Sequence, residues 1–75
     1  MINVTIRSDQ GLLLKEDVPS ARLPGIRGDF EVMGFHAPLI AVLAPGRLWI
    51  GSRMLVIRSR LAWAVGNRLT VLVES

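Results

Sequence analysis

The sequence predicts an all-β fold, a flattened β-sandwich or barrel of about 8–10 short antiparallel strands. Three observations carry this. Apolar and polar residues alternate at a period of two, as in Ile2, Val4 and Ile6 against Asn3, Thr5 and Arg7. Turn-forming clusters interrupt the chain at short, regular intervals. No stretch repeats its apolar residues at helical spacing. With 75 residues, the chain is read as one domain spanning 1–75.

Each element has its own signal. Ile2, Val4 and Ile6 put three aliphatics on one strand face, and Ser8-Asp9-Gln10-Gly11 is a turn cluster. Leu12-Leu13-Leu14-Lys15 restarts an extended run that Pro19 closes. Ala21-Arg22-Leu23 is short and ends at Pro24-Gly25, a pair that favours a type II turn. Phe30-Glu31-Val32-Met33 is a strand bounded by Gly28 and Gly34. From Leu39 to Leu43 the chain is continuously apolar, so period does not separate strand from helix. Pro45-Gly46 stops this run too soon for a stable helix, which makes it a strand. Arg47–Ile50 and Arg53–Arg58 flank Gly51-Ser52, a two-residue hairpin turn with glycine first. Leu61, Trp63 and Val65 alternate with Ala62 and Ala64. Gly66-Asn67 is a second tight turn, after which Leu69, Val71 and Val73 return. Tryptophans at such strand positions, Trp49 and Trp63, are expected in the core.

Composition narrows the chemistry. Hydrophobic residues make up 51% and charged residues 20%, which excludes a disordered chain. The absence of cysteine removes disulfides, thiolate zinc clusters and a cysteine nucleophile. One histidine is too few for an all-histidine metal site. No apolar run reaches the roughly 20 residues of a membrane span, and no signal-peptide pattern is expected at the N-terminus. Charge is unevenly spread: residues 1–43 carry four bases against five acids, and residues 44–75 carry five arginines against Glu74 alone. A basic half suits nucleic acid, anionic lipid or an acidic protein, and equally a plain solvated face.

An enzyme needs a nucleophile, an acid–base pair, a metal or a cofactor cradle, each with partners. His36, the only imidazole, sits in a loop entering a strand, where bonding to backbone is its expected role. Asp29 and Glu31 are two apart and share a strand face, but no third group stands by to tune them. Gly25 and Gly28 bracket Ile26-Arg27 without the helix start that a phosphate loop requires. No catalytic residue, cofactor or metal is therefore expected. Trp63 with Arg47, Arg53 and Arg60 matches the stacking platforms and basic groove of a single-stranded nucleic-acid binder, and this is the alternative function carried forward. Self-association through exposed edge strands is a third reading.

Three blocks then agree in order and spacing: Leu23-Pro24-Gly25-Ile26-Arg27-Gly28-Asp29-Phe30-Glu31-Val32, His36-Ala37-Pro38-Leu39-Ile40, and Leu43-Ala44-Pro45-Gly46-Arg47-Leu48. They resemble the N-terminal domain of the epsilon subunit of F-type ATP synthases, and Asn67–Leu72 resembles its closing strand. Glu31 stands where that family usually has glycine. Met33-Gly34-Phe35 replaces its usual Leu-Pro-Gly, and Ser59-Arg60 its Gly-Gly bulge pair. The two C-terminal helices usual in the family, with their inhibitory and ATP-responsive behaviour, have no counterpart in these 75 residues.

The resemblance implies a sandwich of about ten strands at the foot of the central stalk. There a non-catalytic rotor subunit joins the gamma subunit to the c ring during ATP synthesis by a proton-translocating complex. Carried over by position, Arg27, Gly28, Asp29, Phe30 and Glu31 face the c ring. Phe35, His36, Ala37, Pro38 and Leu39 lie at the gamma contact. The implied location is peripheral, on the cytoplasmic face of a bacterial membrane, with the membrane reached only through the complex.

Overall fold

The structure, a computed structural model, describes residues 1–35 and 37–74, with the backbone alone at Ser59. Among the described residues the chain forms nine strands and no helix: β1 Ile2–Ser8, β2 Gly11–Val18, β3 Ser20–Gly25, β4 Gly28–Met33, β5 Leu39–Val42, β6 Gly46–Ile50, β7 Arg53–Ile57, β8 Ser59–Val65 and β9 Arg68–Val73. They make two sheets, ordered β2-β1-β9-β8-β5 and β4-β3-β6-β7. The all-β sandwich read from the period-two pattern is the fold observed.

The core lies between the sheets. Ile2, Val4 and Ile6 of β1, Leu23 of β3, Val32 of β4, Leu48 and Ile50 of β6, and Leu69 and Val71 of β9 are almost wholly shielded from water. Strand alternation puts their neighbours outside, so each sheet has one apolar and one solvated face. Turn chemistry closes the hairpins. Gly51 takes φ +59° between β6 and β7, where a side chain would be strained. At the β1–β2 turn the Gln10 amide donates to Ser8 Oγ at 3.1 Å.

The chain departs from the sequence reading in three places. β1 and β9 pair in parallel, so the ladder is not purely antiparallel. The two terminal strands meet only after the chain has wound through both sheets, and no hairpin constrains their direction. Next, β3 runs straight through Pro24-Gly25, and the turn falls at Ile26-Arg27, between the paired Gly25 and Gly28. Pro24 is tolerated because the β3–β6 ladder covers only Ala21 and Arg22, while its carbonyl accepts from the Ala44 amide at 2.8 Å. Third, Trp49 and Trp63 point outward, and Ala62 and Ala64 fill the inner positions of β8. Those alanines sit beside Val71 and Leu69 of β9, where a large side chain would hold the sheets apart.

Candidate partner-docking surfaces

The first predicted partner segment runs from the β3–β4 turn through Glu31 of β4, and the second begins at Phe35, beyond the strand's far end. Five steps of about 3.3 Å put about 17 Å between Gly28 and Met33, in a body measuring 28 × 26 × 22 Å. At one end is the β3–β4 hairpin. Arg27 and Gly28 form its exposed tip, and Asp29 and Glu31 are exposed on the outer face of β4. Phe30 is half-buried and packs against the core, so its ring supports the hairpin from beneath. Arg22 Nε lies 3.7 Å from Asp29 Oδ2, with both side chains more than half exposed. Such a pair contributes ~0–1 kcal/mol and orients Asp29 more than it stabilises the fold. The tip is held against β5 by a bond from the Ile26 amide to the Val42 carbonyl at 3.2 Å.

At the other end is the β4–β5 connection. Phe35 is 81% exposed and has φ +58°, the left-handed region. Its amide donates to Asn67 Oδ1 at 3.3 Å, which ties the loop to the β8–β9 turn. Gly34 is required by space: a Cβ there would stand 2.9 Å from the Met1 carbonyl oxygen. Ala37 and Pro38 are exposed, and Leu39 packs partly against the core. His36 lies outside the described residues.

Sequence reading missed an apolar band that links the two ends. On the outer face of the five-stranded sheet, Ile40 of β5 pairs with Trp63 of β8, and Val42 with Leu61. Ile40 is 79% exposed, Val65 63% and Val42 55%, and Ile26 at the hairpin tip is 62% exposed. An open hollow of about 330 Å³ between Ile26, Phe30 and Val42 completes the band. Exposed apolar residues grouped on one sheet face make this a candidate interaction surface. The available signal was the run Leu39–Leu43: in a two-layer fold with a buried Ala41-side face, its alternate residues had to face outward.

The basic half of the sequence does not become a basic face. Arg47 lies on the outer face of the four-stranded sheet, and Trp63 on that of the five-stranded one. Arg53 stands 3.5 Å from Glu16 and Arg60 3.4 Å from Glu74. Folding thus disperses the Arg47, Arg53, Arg60 and Trp63 groove of the nucleic-acid reading over separate surfaces. Among the described residues no group of three His, Cys, Asp or Glu is placed to hold a metal ion.

Comparison with known proteins matches this architecture. The family described as "ATP synthase, Delta/Epsilon chain, beta-sandwich domain" matches residues 1–75. This chain belongs to the ATP synthase delta/epsilon β-sandwich family. The ATP synthase epsilon chain of Rhodopseudomonas palustris (strain BisB18) is 35% identical over 71 residues, covering 89% of this chain and 53% of that one. Epsilon chain 2 of Nitrobacter hamburgensis is 32% identical, covering 96% and 56%. The chain thus spans about half the length of these curated relatives. A chain in the cryo-EM structure of the Tetrahymena thermophila mitochondrial ATP synthase central stalk and c ring superposes with a TM-score of 0.78 at 17% identity. That superposition covers 99% of this chain and 63% of the other, and it speaks to fold alone.

Two of the departures from the delta/epsilon pattern have a visible structural form. The family's bulge persists at Ser59-Arg60: the β8–β9 register shifts between Ser59 and Leu61 although neither bulge residue is glycine. The altered turn before His36 is built by Phe35 in the left-handed conformation.

Proposed function

We propose that this protein is a non-catalytic central-stalk subunit of a proton-translocating F-type ATP synthase, and that it couples the gamma subunit to the c ring as both turn. Membership of the delta/epsilon family over the whole chain is the observation that carries the reading. The geometry supports it. Gly28 and Asp29 begin β4, and the exposed Phe35 follows its far end, so two partners can be held about a strand's length, roughly 17 Å, apart. The close-packed interior between those ends transmits force with little deformation.

In this reading the Arg27–Glu31 segment engages polar loops of the c ring, with Arg27, Asp29 and Glu31 supplying specificity. Gamma docks on Phe35–Leu39 and on the adjoining band of Ile40, Val42 and Val65. The protein is then peripheral to the membrane, on the cytoplasmic face in a bacterium. Co-purification with a gamma subunit tests the docking: the wild-type chain retains gamma, and Ile40→Glu with Val42→Glu releases it. Retention of gamma by this variant removes the band from the interface.

A further inference from the structure

One row of paired residues crosses the outer face of the five-stranded sheet from edge to edge: Lys15 of β2, Thr5 of β1, Thr70 of β9, Trp63 of β8 and Ile40 of β5. Strands spaced at about 4.8 Å put about 19 Å between its ends. The chemistry changes along the row. From Trp63 to Ile40 the face is the apolar band. From Trp63 to Lys15 it is polar, and Arg68 and Arg7 stand exposed on either side of the row.

Two shallow hollows, of about 650 and 360 Å³, lie over this polar half and share Lys15, Trp63, Arg68 and Thr70. Arg7 lines the second. The acids of these three strands are engaged elsewhere. Glu16 stands 3.5 Å from Arg53, and Asp17 accepts a bond from Asn3 Nδ2 at 3.0 Å. Val65 pairs directly with Arg68, so the bases begin one strand away from the apolar band.

An interface that holds two proteins together takes about 20–30 residues a side, about 800 Å² per partner. Ile26, Ile40, Val42 and Val65 with the Phe35–Leu39 segment supply fewer than half of these. A partner seated on the band therefore spreads over Trp63 and onto the bases. Covering a guanidinium or an ammonium group without a counter-charge is strongly unfavourable.

We propose that the protein surface docking on the band carries carboxylates opposite Arg68, Lys15 and Arg7. Trp63 then divides the interface into an apolar half that supplies affinity and a charged half that selects the partner. The inference rests on the stalk reading, in which that partner is the gamma subunit, and it adds the acidic patch that gamma presents to this chain.

Binding of purified gamma subunit to the full chain, followed by calorimetry over a salt series, tests it. Affinity of the wild-type chain falls about tenfold as salt rises from about 0.05 to about 0.5 M, because the charged half is screened. Lys15→Ala with Arg68→Ala lowers affinity about tenfold at low salt and removes most of the salt dependence. Arg47→Ala with Arg58→Ala lowers the net charge equally, away from this face, and changes neither. All four positions are exposed, so both variants keep the fold. Equal affinity of the Lys15, Arg68 variant and the wild type overturns the proposal and leaves the stalk reading standing, as does an equal loss in the control. If a single-stranded oligonucleotide is then sensitive to the same two substitutions, the bases belong to nucleic acid. Failure of the wild-type chain to bind gamma at any salt overturns both readings.

Discussion

Among the described residues, Phe35 is the only non-glycine residue with a positive φ, at 58°. A β-carbon in that conformation costs about 1–2 kcal/mol, and an aromatic ring 81% exposed to water regains little of it. Strain of this kind is kept where a surface needs the side chain. Phe35→Gly is expected to raise stability in urea denaturation by about 1 kcal/mol while weakening retention of gamma. Its neighbour behaves oppositely: Gly34→Ala pushes a methyl group toward the Met1 carbonyl and lowers stability by about 1–3 kcal/mol. At the other end, Asp29→Arg reverses the charge at the hairpin and is expected to weaken c-ring retention. It removes only an exposed ion pair, so the denaturation midpoint stays almost unchanged.

At the scale of the element, period proved more informative than residue size. The alternation in β1 located its buried face correctly, because Ile2, Val4 and Ile6 are large and their neighbours are polar. In β8 both faces are apolar, so the period did not say which points inward, and the larger residues misled. Inter-sheet spacing settles that choice, and spacing is a property of the opposite sheet. Ala62→Leu therefore overfills the space beside Val71 and is expected to lower stability by about 1–3 kcal/mol, read from the denaturant midpoint. Pro24-Gly25 shows the same limit. The dipeptide suits a turn locally, yet the β6 ladder ends before Pro24, and the strand continues to Gly25. The β3–β4 hairpin was legible as a glycine-bracketed loop, and the exposure of Ile26 in its turn was not, because that depends on where β5 comes to lie.

At the scale of the whole molecule, the chain is a small two-sheet body, with a proposed docking surface toward each end of β4 and exposed apolar residues of β5 and β8 beside them. Sequence position suggested the two proposed ends. It did not give their separation, which follows from β4 being extended between them, nor the dispersal of the basic half, which follows from strands of that half entering both sheets. Trp63 is parted from Arg47 and shares a shallow hollow with Arg7, Lys15 and Arg68 instead. Any salt-dependent association with single-stranded nucleic acid is therefore expected to respond to Arg68→Ala and not to Arg47→Ala, read by titration at low salt. The central claim is that the two ends serve two different partners. Reconstitution with separately purified gamma subunit and c ring tests it most directly, using Asp29→Arg for one end and the Ile40→Glu, Val42→Glu pair for the other. The account predicts that the first variant loses the ring and keeps gamma, and that the second loses gamma and keeps the ring; loss of both partners by each correctly folded variant, or of neither, would contradict it.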